Sequence, residues 1–153
     1  KEILEIGKGK IIKEGKKVAL LNFGARLKEC LKADEILNSK GISTTIVDAR
    51  FAKPLDQKLI MDLSLNHEAI ITIEEGSIGG FGSHVMQMLS DRGIFDRGLK
   101  IRSMILPDKF IDQATPEEMY KKAGLDSNSI VEKVIDVLKS NVVIAKNKNK
   151  NIS

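Results

Sequence analysis

The sequence predicts an α/β domain: a mostly parallel β-sheet of about five strands with helices on both faces, and one edge strand that is a candidate for antiparallel pairing. Short apolar runs alternate along the chain with segments whose apolar residues recur at helical spacing. The runs are continuous or rich in β-branched residues, which is typical of strands covered on both faces. With 153 residues, 42% of them hydrophobic, the chain can form one domain with a buried core.

The first part of the chain predicts an edge strand, a buried strand and a helix, in that order. The basic opening stretch contains KIIKEG, a short β-type run that suits an edge strand or a hairpin arm. Residues 17–24, KVALLNFG, are a continuous apolar run ended by glycine, so we expect a buried strand there. Residues 26–40 place leucines and Cys30 on one helical side, and Gly41 is a typical helix stop.

The middle of the chain continues the alternation. Two apolar runs rich in β-branched residues predict strands, STTIVDAR at 43–50 and AIITIEE at 69–75, and a third run, LKIRSMILPD at 99–108, is stopped by a proline. The segments between them have helical spacing and predict helices at 56–65 and 82–91.

Two helices near the end have marked N-termini. Thr115 is followed by proline and then by Glu118, which combines an N-cap, a proline at the first helical position and a capping box. Ser129 and Glu132 repeat the capping-box spacing, and an apolar stripe then predicts a helix that ends near Lys139. We therefore divide the chain into an entering linker or edge strand at 1–16, the α/β domain at 17–140 and a polar, disordered tail at 141–153.

Composition excludes several functional classes. The net charge is +4, but the last eight residues carry three lysines and the rest of the chain is left with +1. With one tyrosine and no tryptophan, the chain lacks the stacking platform of a single-strand binder, so we expect no nucleic-acid partner. Apolar runs are too short to cross a bilayer, and no membrane partner is expected. The chain begins at Lys1, not Met, and we expect it to be a piece of a longer protein.

The single cysteine, Cys30, and the histidine His67 are expected to have structural roles. Cys30 excludes an internal disulfide, fits a reducing compartment and is expected to pack in a helix interface. His67 lies beside Glu68 in a polar stretch and is expected at the surface. No pair of histidines or cysteines has metal-ligand spacing and no aspartates alternate, so the sequence offers no metal site.

The stretch EEGSIGGFGS, residues 74–83, is the most suggestive of a ligand site. It joins a predicted strand to a predicted helix, where phosphate-binding turns occur. Its glycines, however, have neither the dinucleotide-binding spacing nor the P-loop spacing. Gly79 and Gly80 permit a tight turn with positive φ, and the helix beginning near Gly82 offers free N–H groups where a partner's acidic side chain or carbonyl could dock.

Polar residues around this turn have a structural and a functional interpretation. Strand alternation directs Glu74 and Glu75 to opposite faces, so they are hydrogen-bonding groups at a turn or interface rather than a coupled acid–base pair. His84, in the first turn of the helix, is expected to be an interface or capping residue. Glu74, Glu75, Gly79, Gly80 and His84 are therefore our candidates for contact with another domain or subunit.

A second cluster of charge follows the strand at 43–50. Asp48, Arg50, Lys53 and Asp56 suit either ordinary ion pairing or the binding of an anion, and Arg50 and Lys53 are the candidate anion contacts. Asp108 and Asp112 flank Lys109 at another strand end, with the same two interpretations.

Several of these segments together resemble a known family. VALLNFGARLKECLKADEILNSKGISTTIVDARFAKPLD, HEAIITIEEGSIGGFGSHV and LPDKFIDQATPEEMYKKAGLD are similar to the C-terminal domain of thiamine-diphosphate-dependent enzymes of the transketolase family. The similarity runs from about residue 7 to residue 138. DARFAKPLD is shared in looser form by the β subunits of 2-oxo acid dehydrogenases. EEGSIGGFGSHV followed by LPD is more specific and resembles the 1-deoxy-D-xylulose-5-phosphate synthases.

The resemblance implies a three-domain, homodimeric, cytoplasmic enzyme, or one of a plastid-type organelle in a eukaryote, of which this is the third domain. Such synthases condense pyruvate with glyceraldehyde 3-phosphate for isoprenoid, thiamine and pyridoxal phosphate synthesis, with thiamine diphosphate and Mg²⁺ held by the other two domains. The family's catalytic and cofactor-binding residues belong to those domains. We therefore assign this chain no catalytic, cofactor-binding or metal-binding residue, expect it to bind none of these cofactors alone, and expect it to support domain packing and dimerisation.

Two other roles remain open. The domain could be a ligand-binding regulatory module of that enzyme, with Arg50 and Lys53 beside the helix at Gly82 as its anion site. It could also belong to a 2-oxo acid dehydrogenase β subunit that docks a partner protein, although the EEGSIGGFGSHV text argues against this.

Overall fold

A five-stranded sheet forms the centre of the domain, in the computed structural model, which describes residues 3–107 and 115–148 with side chains up to residue 139. The strand order is β1-β3-β2-β4-β5. Strands β2 to β5 are parallel, and β1 pairs antiparallel with β3 at one edge. The strands are β1 (Lys10–Lys13), β2 (Val18–Phe23), β3 (Thr44–Asp48), β4 (Ala69–Glu74) and β5 (Lys100–Met104).

Helices connect the parallel strands and cover both faces of the sheet. Asp56 caps α2 by accepting a hydrogen bond from the Leu59 N–H group, and Thr115 and Glu118 form the capping box of α4. One 3-10 turn, Ile94–Arg97, leads into β5. The helices are α1 (Leu27–Ser39), α2 (Gln57–Asn66), α3 (Phe81–Asp91), α4 (Pro116–Ala123) and α5 (Ser127–Lys148).

Two apolar cores lie on opposite sides of the sheet. One side packs α1 and α5 against β2 and β4, and the other packs α2 and α3 against the alternate residues of the same strands. Every residue of β4, and all but the last of β2, is buried. Because both faces of these central strands are covered, their sequences are apolar without alternation.

The predicted fold class is confirmed, including the antiparallel edge strand. The last helix differs from the prediction at both ends. It begins at Ser127, where Asp126 accepts hydrogen bonds from Ser129, so Ser129 lies inside the first turn and Asp126 is the capping side chain. It continues to Lys148, beyond the predicted end at Lys139.

Some expectations lie outside the described part of the chain. These include the acidic pair Asp108 and Asp112 and the last residues of the predicted tail. Among the helices that the structure describes, none has the length and apolar character needed to cross a membrane.

Candidate functional site

The turn after β4 is built around a buried carboxylate. Glu74 is the last residue of β4 and is only 2% exposed. Its Oε1 accepts a hydrogen bond from the Phe81 N–H group at 3.1 Å, and its Oε2 accepts one from Gly82. These donors belong to the first turn of α3, where N–H groups have no partner within the helix and the helix dipole favours negative charge. For the Phe81 and Gly82 N–H groups, the expectation that they are free for a partner is therefore wrong, because the chain's own carboxylate accepts from both.

The glycines of the turn make room for that carboxylate. A Cβ atom on Gly80 would lie 2.2 Å from Glu74 Oε1, and one on Gly76 would lie 2.5 Å from the same atom. A Cβ on Gly82 would lie 2.7 Å from Thr72 Oγ1. Gly79 is different, since its φ of +94° requires glycine while no atom lies near its missing Cβ. The sequence predicted positive φ for Gly79 and Gly80, but of these two residues only Gly79 has it.

Further hydrogen bonds hold the backbone of the turn between β4 and α3 and leave the side chain at its tip in solvent. The Gly79 N–H group donates to Ser83 Oγ at 3.1 Å, the Gly80 N–H group to the Ser77 carbonyl at 3.2 Å, and the Leu106 N–H group to the Gly76 carbonyl at 3.0 Å. The side chain between them, Ile78, is 79% exposed. The turn therefore holds a large apolar side chain in solvent on a braced backbone.

Glu75 lies on the opposite face from Glu74, as strand alternation predicts. Its Oε1 accepts a hydrogen bond from Arg26 Nε at 2.9 Å, and the Arg26 guanidinium carbon lies 3.5 Å from the centre of the Tyr120 ring. A hydrogen bond to Glu75, together with burial, raises the pKa of Tyr120 above its ordinary value. The three side chains fasten α4 to the carboxyl end of the sheet through an ion pair and a cation–π contact.

His84 and Lys53 line one groove on the outer face of α3. The groove has a volume of about 420 Å³ and lies between α3 and the loop that joins β3 to α2. His84 is half-buried and Lys53 is exposed. The structure thus brings together one residue predicted as an interface contact and one predicted as an anion contact.

The other charged residues of the second predicted cluster have partners in the chain. Arg50 lies with its Nε 3.9 Å from Asp48 Oδ2, and its N–H group donates to Asp48 Oδ1 at 3.2 Å. Asp56 caps α2 and also accepts a hydrogen bond from the Gly9 N–H group at 3.1 Å. The pairing interpretation accounts for these three residues, while Lys53 faces the groove.

The remaining single residues have structural surroundings. Cys30 is fully buried in the core under α1, and burial raises the pKa of its thiol to about 12. His67 is not a free surface residue: its Nδ1 lies 2.9 Å from the Leu63 carbonyl and its Nε2 lies 2.7 Å from Thr45 Oγ1. The Leu63 carbonyl can only accept a hydrogen bond, so Nδ1 donates to it. His67 joins the end of α2 to β3.

Sequence reasoning missed a buried ionic group on the other side of the sheet. Asp34, 4% exposed, accepts hydrogen bonds from the Thr44 hydroxyl and from the Lys13 ammonium. The spacing of Cys30, Asp34 and Leu37 places Asp34 on the buried stripe of α1, which is the observation that could have found it. The group ties the edge strand β1 to the helix layer.

Within residues 3–107 and 115–139, no three His, Cys, Asp or Glu side chains come together as a metal-binding group. The polar side chains at the carboxyl ends of β2 and β4 instead hold backbone and helices in place. Glu74 caps α3, and Arg26 with Glu75 and Tyr120 holds α4.

Comparison with known proteins identifies the domain. Residues 7–130 match the family described as the transketolase C-terminal domain. A solved structure described as "Split gene transketolase, inactive beta4 tetramer" is 31% identical to this chain and superposes on it with a TM-score of 0.80. The match covers 89% of this chain and 44% of that one, so this chain spans less than half of the length of that protein. The chain belongs to the transketolase C-terminal domain family.

Proposed function

We propose that this chain is the C-terminal domain of a 1-deoxy-D-xylulose-5-phosphate synthase, within the thiamine-diphosphate-dependent enzymes of the transketolase type. That enzyme condenses pyruvate with glyceraldehyde 3-phosphate, releases carbon dioxide and forms 1-deoxy-D-xylulose 5-phosphate. The observation that carries the proposal is the turn EEGSIGGFGSHV followed by LPD, which resembles the synthases and lies inside the family match at residues 7–130. Thiamine diphosphate and Mg²⁺ would be held by other domains of the enzyme.

Within that enzyme, we assign the domain a packing and dimer-supporting role. The carboxylates that end β4 are used to hold α3 and α4, which suits a scaffold better than a reacting centre. Ile78, exposed at the tip of the turn, belongs to the surface that a neighbouring domain or a second copy would cover. The structural neighbour is described as a tetramer of β chains, which supports self-association as a property to test here.

The activity is tested on the full-length protein that contains this chain. Carbon dioxide release from pyruvate that depends on both thiamine diphosphate and glyceraldehyde 3-phosphate is the expected result. Ketol transfer between sugar phosphates without decarboxylation would refute the synthase assignment and leave a transketolase-type enzyme. Acyl transfer to a lipoyl-bearing protein would instead favour a 2-oxo acid dehydrogenase.

The structural role is tested by sedimentation equilibrium of the 153-residue chain and of the full-length protein. We expect both to self-associate. A full-length dimer that persists unchanged after removal of this domain would refute the dimer-supporting role, whatever the activity of the enzyme.

A further inference from the structure

The groove on the outer face of α3 has the size of a small-molecule site. Its volume of about 420 Å³ lies in the range that such sites occupy, roughly 300–1,000 Å³. One wall is the exposed stripe of α3, and the other is the loop that enters α2. The lining side chains are Ala52, Lys53, Pro54, Leu55, Gln57, His84, Gln87, Met88, Asp91 and Arg92.

The groove has an apolar floor and a polar rim. Ala52, Leu55 and Met88 form the floor and pack on the core between the sheet and α3. The rim around the floor carries the cationic side chains of Lys53 and Arg92 and the carboxylate of Asp91. Small-ligand sites likewise combine an apolar surface that binds the body of the ligand with polar groups that orient it, although most of the lining residues here are polar.

Several rim groups are available to a ligand. Among the described residues, the side chains of Lys53, His84 and Gln87 make no hydrogen bond or ion pair. Arg92 donates one hydrogen bond, from Nη2 to Gln57 Oε1 at 2.8 Å, which fixes the guanidinium against the wall of the groove. The donors therefore outnumber the single carboxylate.

The acidic side chain lies at one end of the groove. His84 and Asp91 are separated by seven residues of α3, which is about 10 Å along a helix. An anion beside His84 is thus kept apart from Asp91. The Phe81 and Gly82 N–H groups at the start of α3 take no part, because Glu74 already accepts from them.

We propose that this groove binds a small organic anion. Its oxyanion head, a phosphate or a carboxylate, accepts hydrogen bonds from Lys53 and His84, and its short apolar body lies on the floor. This site is independent of the proposed function, since it requires neither the other domains nor their cofactors.

Three probes separate the two parts of the site. We would titrate the ¹⁵N-labelled 153-residue chain with butyl phosphate, inorganic phosphate and butanol, and follow the amide and side-chain signals of α3. Butyl phosphate is expected to bind at least about ten times more tightly than inorganic phosphate, because two or more methylene groups leave water. Equal affinity for the two phosphates, or no shift at the groove with millimolar butyl phosphate, would overturn the proposal.

Matched variants assign the binding to the groove. Lys53→Gln is expected to weaken butyl phosphate binding at least about fivefold. Lys58→Gln, five residues along the chain and paired with Asp62 away from the groove, is expected to leave it unchanged. Should Lys53→Gln fail to fold, His84→Gln is measured in its place with the same expected loss. Equal effects of the groove variant and of Lys58→Gln would refute the assignment, without bearing on enzyme activity.

Discussion

The buried carboxylate at the strand-to-helix turn predicts that two adjacent glycines respond very differently to alanine. In Gly80→Ala the new Cβ atom would stand 2.2 Å from Glu74 Oε1, far inside contact distance. The carboxylate must then leave the N–H groups of Phe81 and Gly82, and the start of α3 loses two charge-assisted hydrogen bonds. At roughly 1.5–3 kcal/mol each, and allowing for partial relaxation, we expect a loss of about 3–5 kcal/mol in the free energy of unfolding.

Gly79→Ala is the matched control. Nothing lies within 4 Å of its missing Cβ, but its φ is +94°. Only backbone strain is added, and we expect a loss of about 1–2 kcal/mol. Urea denaturation of the 153-residue chain, followed by circular dichroism, gives both values. A Gly80→Ala variant no less stable than Gly79→Ala would refute the reasoning.

A double-mutant cycle tests whether Glu74 is the cause. Glu74→Ala by itself leaves two buried N–H groups without their acceptor and is expected to cost about 3–5 kcal/mol. With the carboxylate gone, only the Ser77 carbonyl oxygen, at 3.2 Å, still lies close to the new Cβ atom. Gly80→Ala should therefore cost less than about 1 kcal/mol in the Glu74→Ala background. If the losses of unfolding free energy for Glu74→Ala and Gly80→Ala add in the double variant, Gly80 is required for another reason.

Three further outcomes are expected. Tyr120 is the chain's only tyrosine, so its ionisation can be followed by absorbance; Glu75→Gln should lower its raised pKa, and an unchanged titration would contradict the contact. Burial raises the pKa of Cys30 to about 12, whereas the exposed thiol of the unfolded chain ionises near 9, so the free energy of unfolding should fall as pH rises above about 9. A thiol reagent should label the folded chain only as fast as the chain unfolds. Lys17 and Lys100 lower the pKa of Glu68; Glu68→Gln should cost less than about 1 kcal/mol at neutral pH, and the difference should vanish as pH falls through that lowered pKa.

Local pattern was sufficient for most of the fold. Strand and helix periods predicted the sheet and its helices, and alternation predicted that Glu74 and Glu75 face opposite ways. The partners of these carboxylates were not predictable in the same way. Glu74 meets α3 only because the turn folds the helix back over the strand end, and Glu75 meets side chains from α4 and from the start of α1. Such contacts depend on how elements pack, which spacing along one element does not specify.

The length of the last helix was also misjudged from local signals. The Ser129 and Glu132 spacing fits a capping box, yet Asp126, one turn earlier, caps the helix by accepting a hydrogen bond from the Ser129 N–H group. The backbone enters the helix at Asp126, and Ser129 already lies inside the first turn. Gly124, in the left-handed conformation at φ +72°, ends α4 and places Asp126 at that entry.

The glycine-rich turn shows how a sequence that looks like an anion cradle can be complete without a ligand. Phosphate-binding turns use glycines to bring backbone N–H groups close to an anion at a helix N-terminus. Here the same geometry is present, but the anion is the carboxylate of Glu74, held by the chain itself. The missing Cβ atoms of Gly76 and Gly80 shape the space around it. Because that site is filled, an external anion must be sought elsewhere, and the cationic groove on the outer face of α3 is where the side chains for one remain available.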